Sequence, residues 1–544
     1  MSGIFNQGHN TDIGSVSTLS SKARYQADPL TLFKKLCGDR QNNLLLESAE
    51  IDKKHQLKSL LLIDAAVKIV CQGAQVTFSA LTVNGEAALL FAKQALAGDA
   101  QIQGDHRKFT ATFAENINTL DEKSRLLATN PFQALRLFQR LNNDNHHPFA
   151  IFLGGAFAFD MITMSEQLPE VTDGDNTCPD FVYYLAESLV VIDHEKRASE
   201  VIANVFSGPE QQKCHFEIAR RLSAIKALVE SDIAPPQTRE LAHVIPPTVQ
   251  TDISDQTFCQ TVETLKEHIR AGDIFQVVPS RTFSLPCKDT FNAYLALRES
   301  NPSPYMFYLQ DEDFCMFGAS PESAIKYQQH NRQVEIYPIA GTRPRGFDQQ
   351  GKLSLDLDCR IELALRQDKK ELAEHIMLVD LARNDVARVS QPGTRHVADL
   401  LKVDRYSHVM HLVSRVCGTL SEDLDALHAY QACMNMGTLS GAPKVKATEL
   451  IRQYEGKRRG SYGGAVGYLT GEGDMDTCIV IRSAFVRQGT AYIQAGAGVV
   501  FDSNPQAEAD ETRQKAQAVI NAIIKAAQLE NVSSTCHSEA SRCQ

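Results

Sequence analysis

Two short stretches place carboxylates three residues apart: Glu371 and Glu374 in KKELAEHIMLVD, and Glu508 and Glu511 in AEADETRQK. Residues three apart share a face of a helix, so each pair presents like charges side by side. Water can screen such a pair, or a cation can sit between its members. Two facing helices with two carboxylates each offer an all-oxygen donor set that suits a hard cation. Magnesium takes one or two carboxylates and keeps waters, which further carboxylates can hold. A solvated helix face is the other reading of either pair. The apolar run IMLVDLA after Glu374 favours a covered helix. Iron bound by a Glu-x-x-His helix pair needs glutamate where this chain has Leu372, and zinc needs clustered His or Cys.

Other groups are less telling alone. His411 in VMHLV reads as a satisfied core histidine, and AGAGV (495–499) as a packed strand-turn. LLLES (44–48) reads as a buried strand entering a polar turn. GTLSGAPK has the wrong glycine-to-lysine spacing for a phosphate loop.

The elements that carry these residues follow from periodicity. Helices are expected at 255–272, ending on Gly272, and at 352–367, 368–388, 423–436, 442–455 and 506–528. Strands are expected at YMFYLQ, FCMFGAS, VEIYPIAG, GAVGYLTG, DTCIVIRSAFVR and AYIQAGAGVVF. Because strands and helices do not alternate, the class is α+β, with large, mainly antiparallel, sandwich-like sheets and helices packed outside. The chain divides into a flexible segment 1–27, an N-terminal region 28–230, a Pro-rich connection 231–250, a region 251–525 and a polar tail 526–544 expected to be disordered.

Bulk properties narrow the partners. The 544 residues are 43% hydrophobic and 22% charged, with a net charge of −11. That balance argues against nucleic acid or an anionic membrane as partner. The 13 cysteines are scattered without a C-x-x-C pair, pointing to reduced thiols. The N-terminus lacks a signal-peptide layout, and no apolar run reaches membrane length, so a cytoplasmic protein is expected.

In order, DIFQVVPSR, NPSPYMFY, GASPES, IYPIAGTRPRG, KELAEHIMLVDLARND, SHVMHLVS, GTLSGAPK, GSYGGAVGY, CIVIRSA, AGAGVV and AEADETRQKA make the chain resemble the chorismate-utilising enzymes, above all the large subunit of bacterial anthranilate synthase, over residues 28–525. The resemblance implies a lyase that converts chorismate and ammonia to anthranilate and pyruvate, the first step of tryptophan biosynthesis. It implies Mg²⁺ bound directly by Glu374 and Glu511, with Glu371 and Glu508 behind them. Arg482, Tyr462, Gly496 and Gly498 would receive the enolpyruvyl carboxylate, with Lys515 beside them, and Gly341, Thr342, Gly437 and Thr438 would line the ring site. Glu322 would protonate the leaving hydroxyl, and His411 would assist pyruvate elimination. Water-adding relatives carry lysine where this chain has Gln276, and the para-amino sibling carries lysine where it has Ala340. Both differences favour ammonia adding ortho to the carboxylate. Aminodeoxychorismate or aminodeoxyisochorismate synthase is the alternative. The chain has no amidotransferase segment, so a separate glutaminase subunit is implied, in a two-plus-two heterotetramer. Feedback inhibition by tryptophan is implied at Glu47 and Ser48, walled by Asn301, Pro302, Ser303, Tyr305, Met306 and Phe307.

Overall fold

The computed structural model describes residues 13–48, 57–114, 121–143, 147–232, 247–348, 350–406 and 409–540, with side chains to 528 in the last helix. Most of the Pro-rich connection, residues 49–51 of LLLESAEI, and 541–544 lie outside them.

The described strands form one hydrogen-bonded network of 23, plus a short pair, Gln276–Val277 with Gly441–Ala442. Among the described ladders only Ser15–Val16 with Asn142–Asn143 is parallel. The expected α+β class with large antiparallel sheets is what folds. Strands from the two halves interleave. Asn43–Glu47 pairs with Tyr305–Gln310, and Phe152–Phe157 with Ala465–Thr470.

Strand Phe181–Asp193 shows why layers form on both sides. Its odd positions Phe181, Tyr183 and Leu185 enter one core, and Val182, Tyr184 and Ala186 enter the next. Period-two alternation puts both sets in apolar surroundings, as in a strand buried on both faces.

Helices close the outside. Asp255–Ala271 starts where the Ser254 hydroxyl accepts from Thr257 N and stops at Gly272, whose φ of 84° suits a left-handed cap. It packs on the final helix Pro505–Ala540 through Arg281, a fully buried side chain that donates to Asp255, to Thr512 Oγ1 and to the Ala509 carbonyl.

Four expectations change. Ser15–Ala23, placed in a flexible segment, is a strand paired along Ser199–Phe206. Its Ser- and Thr-rich sequence lacks an obvious strand signal, and cross-strand pairing overrides propensity. The tail expected to be disordered is helical to Ala540. VEIYPIAG is two strands, Gln333–Ile336 and Ile339–Pro344, because Pro338 cannot donate to the ladder. DTCIVIRSAFVR also splits, into Met475–Ile479 and Ser483–Arg487, around Arg482, which takes a φ of 51°.

Candidate active site

Those two breaks face one cavity of about 690 Å³. Helix Lys369–Ala387 supplies one wall. Its cap, Asp368, accepts from the amides of Lys370 and Glu371 and is gripped by Arg343 at 2.8 Å. That start aims Glu371 and Glu374 into the cavity. The final helix supplies the opposite wall; Asn504 Oδ1 accepts from Ala507 N, and Glu508 and Glu511 point inward.

The like charges find positive neighbours in the chain itself. Arg343 lies 2.7 Å from Glu371, Lys370 lies 3.8 Å from Glu374, and Lys515 lies 2.7 Å from Glu511. Burial, reinforced by the neighbouring glutamates, raises the Glu374 carboxyl above its ordinary value. Burial, with Glu511 adding to it, does the same for Glu508. Among the described residues, no three of His, Cys, Asp or Glu converge on a single point. The chemistry nonetheless fits a hard cation: four carboxylates face one space, and burial disfavours the ionised form of two of them.

Strand Ile339–Pro344 pairs with Val409–Thr419, setting Thr342 opposite His411, and Thr342 Oγ1 lies 2.9 Å from His411 Nδ1. Burial and the Arg482 charge lower His411 to about 4, so it is neutral at physiological pH. Gly341 has a φ of 83°, and an added Cβ would stand 3.1 Å from Glu371 Oε2; only glycine combines that turn with that approach.

Glu322 is 7% exposed and accepts from Thr438 Oγ1 at 2.9 Å. Burial pushes its carboxyl up to about 8. Across the cavity stands Arg482, which makes no ion pair among the described residues, and whose pKa desolvation lowers. Burial pushes the neighbouring Tyr462 phenol up to about 12. Lys515 ties this end to the glutamates, since its Nζ also donates to the Gly496 carbonyl at 3.0 Å. Gln276 is 6% exposed, and its Oε1 is buried without a hydrogen-bond partner among the described residues. Gly498 lets it in, because an added Cβ would sit 2.8 Å from its amide nitrogen. All of the expected catalytic, substrate and metal residues except Gly437 line this one cavity; Gly437 borders a small neighbouring gap instead. His375 does not; it is buried against Ser414 Oγ at 2.7 Å.

Residues 86–521 match the model of the chorismate binding enzyme family. Anthranilate synthase component 1 of Vibrio cholerae is 59% identical, the match spanning 94% of this chain and 97% of the relative. That of Escherichia coli is 54% identical over 94% and 98%. The chain belongs to the anthranilate synthase component 1 family of chorismate binding enzymes. A solved relative, anthranilate synthase component I from Streptococcus pneumoniae, superposes with a TM-score of 0.65 at 28% identity, covering 91% of this chain and 97% of that one. The menaquinone-specific isochorismate synthase of Escherichia coli shares the fold, with a TM-score of 0.64 at 16% identity over 94% and 95%.

Sequence reasoning passed over the countercharges Arg343 and Lys370, although TRPRG adjoins Thr342 and Lys370 precedes Glu371. It also passed over Gln494, which faces the cavity and donates to Ser280 Oγ at 2.8 Å.

The second expected cluster also assembles in part. Glu47 and Met306 are cross-strand partners, and Ser48 Oγ donates to the Pro304 carbonyl at 2.5 Å. Asn301 caps the helix Thr290–Ser300, and Ser303 is buried beyond it. Tyr294 of that helix donates to Glu47 Oε1 at 2.7 Å, and Arg298 lies 3.0 Å from it. These two partners, one helical turn apart in AYLALRES, are the missed residues. Met306 shares a core with Tyr294, whereas Phe307 and Tyr305 join the opposite core. Strand alternation keeps those side chains on separate faces.

Proposed function

We propose that the chain converts chorismate and ammonia to anthranilate and pyruvate, as the component of anthranilate synthase that binds chorismate. One observation carries this reading: a single cavity holds a carboxyl kept protonated, Glu322, and a buried acceptor, Gln276, without a donor among the described residues. An unmet buried acceptor costs on the order of 1–3 kcal/mol, and an N–H of ammonia relieves that cost. A glutamine cannot deprotonate water, so the nucleophile is one that needs no base.

The enolpyruvyl carboxylate binds Arg482, whose planar donors make no ion pair among the described residues, with Tyr462 and the amides at Gly496 and Gly498 beside it. The ring carboxylate points to the glutamate end, where Glu374 and Glu511 hold Mg²⁺ and Glu371 and Glu508 support it. Mg²⁺ bound there supplies the positive charge that matches the ring carboxylate. Gly341, Thr342 and Thr438 border the ring. Ammonia adds ortho to the carboxylate; Glu322, protonated at neutral pH, gives its proton to the departing hydroxyl. His411, neutral and oriented by Thr342, then takes a ring proton as pyruvate is eliminated and the ring becomes aromatic.

Ammonia comes from a separate glutaminase subunit, in a two-plus-two heterotetramer. Residues 28–230 form a regulatory region in which tryptophan binds near Glu47 and Ser48, and 251–525 form the catalytic region. Tryptophan acts by favouring one conformational state over another. The enzyme works in the cytoplasm; among the described residues no helix is long and apolar enough to cross a membrane. The test is to give the purified chain chorismate, Mg²⁺ and ammonium at alkaline pH. Fluorescent anthranilate and one equivalent of pyruvate are expected. A non-aromatic amino product, or none, overturns the proposal.

A further inference from the structure

Behind the catalytic cavity lies a second one of about 490 Å³, bordered by Arg125, Glu166, Arg388 and the buried pair Asp385–Lys444. A gap of about 20 Å³ lies between the two. It shares Glu322, Leu378 and Thr438 with the first cavity, and Leu381 and Asp385 with the second. A water needs roughly 10–15 Å³ of such space, so the gap has room for one water and none for a ring. Its ends are polar, with Thr438 bonded to Glu322 at 2.9 Å and Lys444 bonded to Asp385 at 2.7 Å. Leu378, Leu381, Ala382 and Met436 give it apolar lining, beside Ser323 and Tyr337.

We propose that this neck is a rear exit through which the water formed at Glu322 leaves while product still fills the front of the site. The idea rests on the acid role given to Glu322 above. In the first step a C–N bond forms to ammonia and the ring C–O bond breaks. Glu322 gives one proton to the departing oxygen, and the nitrogen adduct sheds one. Each turnover therefore makes one water and leaves Glu322 one proton short, which the shed proton restores. The front is closed to that water, because the ligand's two carboxylates occupy the Arg482 and glutamate ends.

The test narrows and widens the neck in the full chain, at saturating ammonium. Leu381→Trp is expected to lower kcat about tenfold and Leu381→Phe less, with Leu381→Ala near wild type. KM for chorismate should stay within about twofold throughout. Met436→Phe narrows the neck from the other wall and should act like Leu381→Phe. Thermal midpoints show which variants are folded. A folded Leu381→Trp or Met436→Phe variant with wild-type kcat overturns the proposal. So does a loss cured by raising ammonium further, which would make the neck an ammonia path. Wild-type enzyme assayed alongside separates the two claims. No product from it overturns the reaction assignment and the neck together, whereas unchanged variants overturn the neck alone.

Discussion

If Glu322 delivers a proton to the departing hydroxyl, turnover is confined to pH values at which that carboxyl stays protonated. Burial raises it from 4.5 to about 8, against the opposing pull of the Thr438 hydrogen bond and the charges of Lys515 and Arg482. At 1.36 kcal/mol per pH unit, ionising the group in place costs on the order of 5 kcal/mol more than in water. Between those two values the folded state binds more protons than the unfolded one, so stability falls as pH rises. The contribution is whole below about 4.5 and lost once pH passes about 8. Glutamine is neutral at every pH, so Glu322→Gln removes this slope. The variant should match wild type near pH ~4 and exceed it by roughly 3–5 kcal/mol near pH ~8, read from urea midpoints at fixed pH. Its turnover should fall about 10²–10⁴-fold, the usual worth of a positioned acid. Wild-type kcat, measured at constant free ammonia so that the nucleophile's own ionisation drops out, should fall about tenfold per unit above pH ~8. A flat kcat across that range would refute the acid role. So would a Glu322→Gln enzyme within about tenfold of wild type. Parallel stability curves for the two proteins would refute the account of burial.

Glu374→Gln or Glu511→Gln should abolish turnover with ammonium and with glutamine plus partner, and Mg²⁺ titration should show lost or weakened binding; near-normal rates in either variant rule out the metal assignment. Glu371→Gln and Glu508→Gln, which act behind them, should weaken apparent Mg²⁺ affinity by about 10–100-fold, measured as activity against Mg²⁺ concentration. Arg482→Lys should raise KM for chorismate about tenfold or more, because a point charge cannot reproduce the planar fork; an unchanged KM places the carboxylate elsewhere. Ser48→Phe should keep kcat within about twofold while relieving tryptophan inhibition, since the ring cannot sit where the hydroxyl meets the Pro304 carbonyl; unchanged inhibition removes that site.

The parts legible in the sequence were those set by short-range periodicity. Three-residue spacing put Glu371 with Glu374, and Glu508 with Glu511, on single helix faces, and both faces meet in the cavity. The illegible parts depend on which segments meet. Arg343 neutralises Glu371 because its strand pairs with Val409–Thr419 under the 369–387 helix. No local pattern announces that meeting. The same holds for Arg298 and Tyr294, which reach Glu47 only once strand Asn43–Glu47 lies beside Tyr305–Gln310. Strand breaks were hidden for a different reason. DTCIVIRSA reads as one β-rich run, but Arg482 leaves the ladder in a left-handed conformation that costs a non-glycine residue energy. A continuous strand would have pointed that side chain by simple alternation. The break frees it from that geometry and turns it into the cavity, close enough to lower the His411 pKa through its charge. One departure from regular structure therefore both turns Arg482 into the cavity and adds its charge to the burial that keeps the histidine neutral, which is why the least regular segment matters most to the proposed chemistry.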